Sequence, residues 1–172
     1  MISVNSSDRP ASVNHDAFAM VQQVLNQFAQ EVGLPGLALN AHGGCTLDLG
    51  DRFVHLEVDA KAVELSIYSE VALLPVPVKP ALLEMMMHAN YFTLRTAGAT
   101  LGLEGVSGQV VLYLRLSAER LDCGRLAERL DSFVAAADLW ATRLAMAGSP
   151  AAAGSVFDQP NSPLNPSLVI QG

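Results

Sequence analysis

Two histidines and a cysteine come nearest to a chemical constellation in this chain. His42 and Cys45 are spaced H-x-x-C, and His55 follows in the next hydrophobic segment. A zinc ion needs about four nitrogen, sulfur or oxygen ligands in compatible geometry. The other cysteine, Cys123, lies far away, just ahead of the last predicted helix. His42 therefore reads as a turn residue and Cys45 as a buried thiol, and no metal site is expected. A nucleophilic Cys45 served by His55 would need a setting that lowers the thiol pKa, and no motif supplies one. The four histidines, at 15, 42, 55 and 88, fall in different predicted elements. Glu57, Asp59 and Glu64 are close in sequence, but acid-base work would require one of them to be desolvated, and nothing signals that. Gly102, Gly105 and Gly108 imitate a phosphate loop, yet no Lys-Ser/Thr follows and the next element is a strand. The chain is expected not to be an enzyme and to use no cofactor or nucleotide.

Composition narrows the remaining classes. The 172 residues suit one domain. A 51% hydrophobic content and mean hydropathy of +0.31 provide a core with a surplus that can face a partner. No apolar run is long enough for a membrane span. The first residues, MISVNSSDRPASVNHD, lack the basic-then-apolar pattern of a secretory signal. The net charge of −7, without a basic stripe, argues against nucleic acid, whose phosphates it would repel. Both cysteines read as reduced and structural.

The elements that must position any site follow from periodicity. Residues 1–13 are polar, aperiodic and expected to be flexible. A domain over 14–147 follows, then a Pro/Ser/Ala-rich tail over 148–172, also expected to be flexible. Phe18, Val21, Leu25, Phe28 and Val32 share a helix face, with Asn14 or Asp16 as cap and Gly33 as terminator. Short alternating strands follow: Leu37 and Leu39; Cys45, Leu47 and Leu49; Phe53 to Val58; and Val63 to Val71. Gly43-Gly44 and Gly50-Asp51 mark tight turns. Pro80 opens a helix running to about 91. Two strands, near 99–104 and 109–116, lead to a last helix over 122–147 with the stripe Leu126, Leu130, Phe133, Ala137, Trp140 and Leu144. Val110 to Leu114 is apolar on both faces, which marks a central strand covered on both sides or one whose outer face meets a partner. The order α-β-β-β-β-α-β-β-α predicts an α+β fold with an antiparallel sheet flanked by helices. The stretch from Leu82 to Glu104, helix, Asn-Tyr-Phe, turn and strand, reads as a device for presenting apolar surface to another protein.

Four stretches in this order resemble the Tir-chaperone family, the small acidic dimeric chaperones that bind single effectors of bacterial type III secretion. They are Phe28-Ala29 leading to Gly33-Leu34-Pro35; Leu47 to Glu57; Asn90-Tyr91-Phe92 followed by Gly98 to Leu103; and Leu130-Asp131-Ser132-Phe133 ending in Trp140. The resemblance spans about residues 16 to 147.

It implies a cytoplasmic bacterial homodimer, with a role in virulence, that holds the N-terminal region of one effector extended, soluble and export-competent. Apolar grooves and strand addition would make the contact without ATP, and the export-apparatus ATPase is a further candidate partner. The apolar residues best placed for effector binding are Val24, Phe28, Leu39, Leu49 and Phe53. The resemblance implies a dimer interface to which the middle helix and the neighbouring strand contribute; it is expected at Leu83, Met86, Met87 and Tyr91, because a short apolar helix covers part of the sheet and a second copy could cover the remainder. Methionines suit a surface that must re-pack. The alternative is a dimeric adaptor or regulatory module of the same fold without an export role. A small hydrolase using His55 and Cys45 ranks last.

Overall fold

The computed structural model describes residues 11–34, 36–75 and 77–148. Three helices and five strands follow one another as α1 (Ala11–Val32), β1 (Gly44–Asp48), β2 (Phe53–Asp59), β3 (Glu64–Leu73), α2 (Pro80–Asn90), β4 (Thr100–Leu103), β5 (Gln109–Ser117) and α3 (Cys123–Gly148). All strand pairs are antiparallel, in the spatial order β1-β2-β3-β5-β4. This is the expected α+β architecture.

Alternation along each strand sends one set of side chains inward. Leu47, Val54, Leu56, Val58, Leu65, Ile67, Leu101, Val110, Leu112 and Leu114 are all buried on that face. Over it lie Val21, Val24, Leu25 and Phe28 of α1, Leu82, Met86 and Ala89 of α2, and the whole expected stripe of α3 from Leu126 to Leu144. Trp140 is buried with its indole satisfied, donating Nε1–H to the Arg95 carbonyl at 2.9 Å. The opposite face of the sheet carries no helix among the described residues. A row crosses it from Thr46 through His55, Tyr68 and Tyr113 to Thr100. β5 is internal but is not covered on both sides as one expectation had it: only its inner face is fully buried, and Val111 and Tyr113 on the outer face stay half-buried.

Three local details differ from the sequence reading. The helix α1 begins at Ala11, so Asn14 and Asp16 lie inside it and neither caps its start. Segment 37–39, expected as a strand, joins no sheet. It is held by one side chain: the Gln22 amide donates to the Leu37 carbonyl at 2.7 Å and accepts from the Leu39 N–H at 2.8 Å, taking the place of a neighbouring strand. The helix α3 begins at Cys123 with Asp122 as its cap, the carboxylate accepting from the Arg125 N–H at 2.8 Å, and runs one residue past the expected end to Gly148. The expected flexible tail over 148–172 lies, apart from Gly148, outside the described residues, as do residues 1–10 of the expected flexible N-terminus.

The predicted Gly50 hairpin forms, whereas at Gly43-Gly44 the chain turns but makes no hairpin, because 37–39 is not a strand and Gly44 opens β1. Gly50 adopts φ 86°, and the Leu49 N–H reaches the Arg52 carbonyl at 3.0 Å, closing the β1–β2 hairpin. Gly43 adopts φ 82°, and a Cβ there would lie 2.2 Å from Cε1 of Phe18, so the half-buried ring would have to move to admit one.

Candidate partner-binding surfaces

The free edge of β1 is the first surface. In an antiparallel ladder the residues alternate between those bonded to the neighbour and those whose N–H and C=O point away. Leu49 bonds Arg52 and the Val58 N–H bonds the Gly43 carbonyl, so Cys45 and Leu47 face β2 while Gly44, Thr46 and Asp48 face outward. Asn40 takes both outward groups of Gly44: its backbone N–H donates to the Gly44 carbonyl at 2.8 Å, and its side-chain oxygen accepts the Gly44 N–H at 3.1 Å. The outward main-chain groups of Thr46 and Asp48 have no partner among the described residues.

Apolar side chains stand beside this edge. Leu49 is 49% exposed and Phe53 56%, at the two sides of the β1–β2 turn. Leu39 is half-buried in the segment that precedes β1. Val24 and Phe28, expected to contact an effector, are instead buried in the core beneath the sheet. The helical period places them on the same inward side as Val21 and Leu25, so they support the surface from below.

The second surface is the end of α2 and the turn after it. Met87, Tyr91, Phe92 and Leu94 are 74, 71, 73 and 85% exposed. Leu83 is partly exposed, whereas Met86 is buried in the protomer's own core, so of the expected interface residues it alone does not reach this surface. Phe92 and Leu94 enlarge the patch beyond the sequence expectation. Asn90-Tyr91-Phe92 stood out as a motif, but a leucine projecting from the following turn leaves no periodic signal. Tyr91 and Phe92 pack edge to face, with centroids 4.4 Å apart. The chain turns here through two left-handed non-glycine residues, Phe92 and Thr93, both at φ 53°. That conformation costs about 1–2 kcal/mol per residue. It is held by the Thr93 carbonyl, which accepts from the Thr96 and Gly98 N–H groups, and by the buried Thr96 hydroxyl.

The chemically suggestive residues do not converge. Cys45 pairs with Leu56 and lies on the inner side of the sheet, while His55 lies on the outer face opposite Thr46. There His55 Nδ1 sits 3.0 Å from the Thr46 hydroxyl, and the ring stacks on Tyr68 at 5.0 Å. Burial pushes the Cys45 and Cys123 thiols up, away from the reactive thiolate. His42 sits in the exposed turn after Asn40, its backbone N–H on the Asn40 side chain. No group of three or more metal-ligating side chains gathers among the described residues. Asp59 closes the β2–β3 turn: the Ala62 and Lys61 N–H groups donate to its carboxylate and hold its pKa below the usual range. On the outer face a shallow depression of about 560 Å³ is lined by Glu57, Asp59, Lys61, Ser66, Tyr68 and Tyr113. Tyr113 there is already engaged by Ser66 and Arg115.

Residues 23–141 match the model of the Tir chaperone protein (CesT) family. No curated protein matches the chain by sequence. The fold is shared with several solved structures. In the HopA1-SchA chaperone-effector complex the similar chain is 20% identical, with 74% of this chain and 97% of that chain covered at a TM-score of 0.63. For the ExsC-ExsE complex the values are 22%, 73%, 93% and 0.63. For the Yersinia pestis type III secretion chaperone SycH, bound to a stable fragment of YscM2, they are 22%, 69%, 98% and 0.57. The chain belongs to the Tir chaperone protein family.

Proposed function

We propose that this member of the Tir chaperone protein family is a type III secretion chaperone. It binds the N-terminal region of one effector in extended form and keeps it soluble and export-competent in the bacterial cytoplasm. The observation that carries the reading is the edge of β1, where the main-chain groups of Thr46 and Asp48 have no partner among the described residues and stand beside exposed Leu49 and Phe53. An extended segment adds to such an edge by main-chain hydrogen bonds, and alternate side chains give it specificity. The shared fold of the HopA1-SchA chaperone-effector complex and of SycH, a type III secretion chaperone with a bound fragment of YscM2, supports the same reading.

The working unit is a homodimer. Leu83, Met87, Tyr91, Phe92 and Leu94 form an apolar patch of the kind that marks a protein-protein interface. A two-fold arrangement would bury the same patch on both copies. Capture needs neither ATP nor metal, because apolar burial at roughly 25 cal/mol per Å², less the ordering cost of the segment, drives it.

The test begins with co-purification and mass spectrometry to identify the partner. Limited proteolysis of the complex should then leave a protected N-terminal fragment. Exchanging Leu49 and Phe53 for serine should weaken binding at unchanged stability. If the partner's folded domain alone binds as tightly as the full-length protein, this mode is wrong.

A further inference from the structure

We propose that Arg95, Arg129 and Arg143 form a docking site for a short acidic segment of a partner protein. The site is separate from the β1 edge and does not rest on the strand-capture reading.

The sequence carries no basic stripe, but the fold gathers three arginines from two elements. Arg129 and Arg143 are about four turns apart on α3, so they leave the helix on the same side. Both approach the turn that follows α2. A Cβ placed on Gly98 would lie 3.6 Å from Arg129 Nη1, so that guanidinium rests against the turn. The Arg143 guanidinium lies 5.2 Å over the Trp140 ring, and the Trp140 indole donates to the Arg95 carbonyl at 2.9 Å. Arg95 and Arg143 are exposed and Arg129 is half-buried. None of the three pairs with a carboxylate among the described residues, whereas Arg52 and Arg115 each do. Asp131 and Asp138 turn toward the other side of α3, and Asp138 is taken by Arg52.

Like charges gathered without a counter-ion repel one another, and carboxylates set between them relieve that repulsion. Each guanidinium carries its N–H donors in a fork that matches a carboxylate. Stacking on Trp140 occupies one face of Arg143 and leaves its N–H edge free. The charge around the site chooses the occupant. The chain carries 10 cations and 17 carboxylates, so without these three arginines the balance is 7 against 17, or −10. A long polyanion such as nucleic acid would run off the site into that field. An acidic stretch of a few residues with neutral flanks would not.

The experiment uses the full chain and a blocked nine-residue peptide of alternating serine and glutamate as probe. Trp140 is the single tryptophan, so its indole N–H gives one nuclear magnetic resonance signal beside Arg95 and Arg143. The peptide should shift that signal saturably, and added salt should weaken the binding. Arg129→Gln combined with Arg143→Gln should weaken it at least about tenfold, as the loss of charged hydrogen bonds does. Arg143→Lys keeps the charge without the fork and should retain part of the affinity. Arg95→Gln, at an exposed side chain, should also weaken binding and serves if the double variant does not fold. Arg115→Gln makes the same charge change on the outer face of the sheet and should leave the affinity unchanged. The site is rejected if millimolar peptide leaves the indole signal in place, or if Arg115→Gln weakens binding as much as the double variant. It is also rejected if a peptide with glutamine for glutamate binds as well. An oligothymidylate of the same length that binds more tightly than the peptide overturns the choice of occupant. Dissociation of the dimer by the arginine variants overturns it too, by giving the site to a second copy.

Discussion

One carboxylate oxygen of Asp138, on α3, receives both Nε and Nη2 of Arg52, at 2.9 and 2.8 Å. Arg52 sits at the β1–β2 turn, and its Nη1 also donates to the Glu70 carbonyl at 2.8 Å and to the Ser69 hydroxyl at 3.3 Å. One guanidinium thus ties the hairpin beside the open edge to β3 and to the long helix. Its side chain is 11% exposed, whereas that of Asp138 is 65% exposed. Water can therefore replace the carboxylate more readily than it can replace the arginine. Arg52→Ala should cost about 1.5–3 kcal/mol in urea unfolding, the range for hydrogen bonds to a charged group. Asp138→Ala should cost about 0–1 kcal/mol, as exposed ion pairs do. Equal losses would show that the carboxylate, not the main-chain contacts, carries the tie.

The two neighbouring methionines should behave oppositely. Met87→Glu combined with Leu94→Glu should give a folded monomer by sedimentation, because both side chains stand in solvent on the proposed interface. Met86→Glu should unfold the chain, because it places an unpaired charge in the core. A double variant at Met87 and Leu94 that remains dimeric would remove this patch from the interface.

Two glycine substitutions separate sterics from backbone strain. Gly50→Ala meets nothing within 4 Å and should cost about 1–2 kcal/mol for its left-handed backbone alone. Gly43→Ala carries the same backbone cost and also drives a methyl group into the Phe18 ring, so it should lower the thermal midpoint further. Phe18→Ala in the Gly43→Ala background should recover part of that difference. No recovery would mean that the ring moves aside freely.

The β2–β3 turn should loosen in acid. The folded-state pKa of Asp59 is depressed by the hydrogen bonds from Ala62 and Lys61. Its contribution is therefore present above the unfolded pKa of about 3.9 and is lost as pH falls through the lower folded value. Amide chemical shifts of Lys61 and Ala62 should follow this titration, with a midpoint below the usual carboxylate range. A midpoint at or above about 4 would contradict the assignment.

What periodicity could state, it stated well. The α3 stripe from Leu126 to Leu144, the Gly50 turn, Pro80 at the head of α2 and the internal place of β5 all depend on neighbours in sequence, and each is found as expected. Residues 37–39 misled because alternation marks an extended chain and says nothing of its partner, here the Gln22 amide instead of a strand. Val24 and Phe28 were apolar and helical, but a period gives a face, and only packing against the sheet says that this face points inward. Met86 and Met87 are adjacent and identical, and the rotation of α2 over the core alone separates the buried one from the exposed one.

The amino-acid sequence by itself therefore determined the element order apart from the segment 37–39, the α+β class and the family, because these rest on local propensity and on a spacing carried along the chain. The tertiary structure alone decided which main-chain groups along the sheet margins are engaged by side chains. Asn90 reaches those of Leu101 and Asn40 that of Gly44. An asparagine's hydrogen-bond partner is set by where the fold brings it, and no pattern of neighbours encodes that.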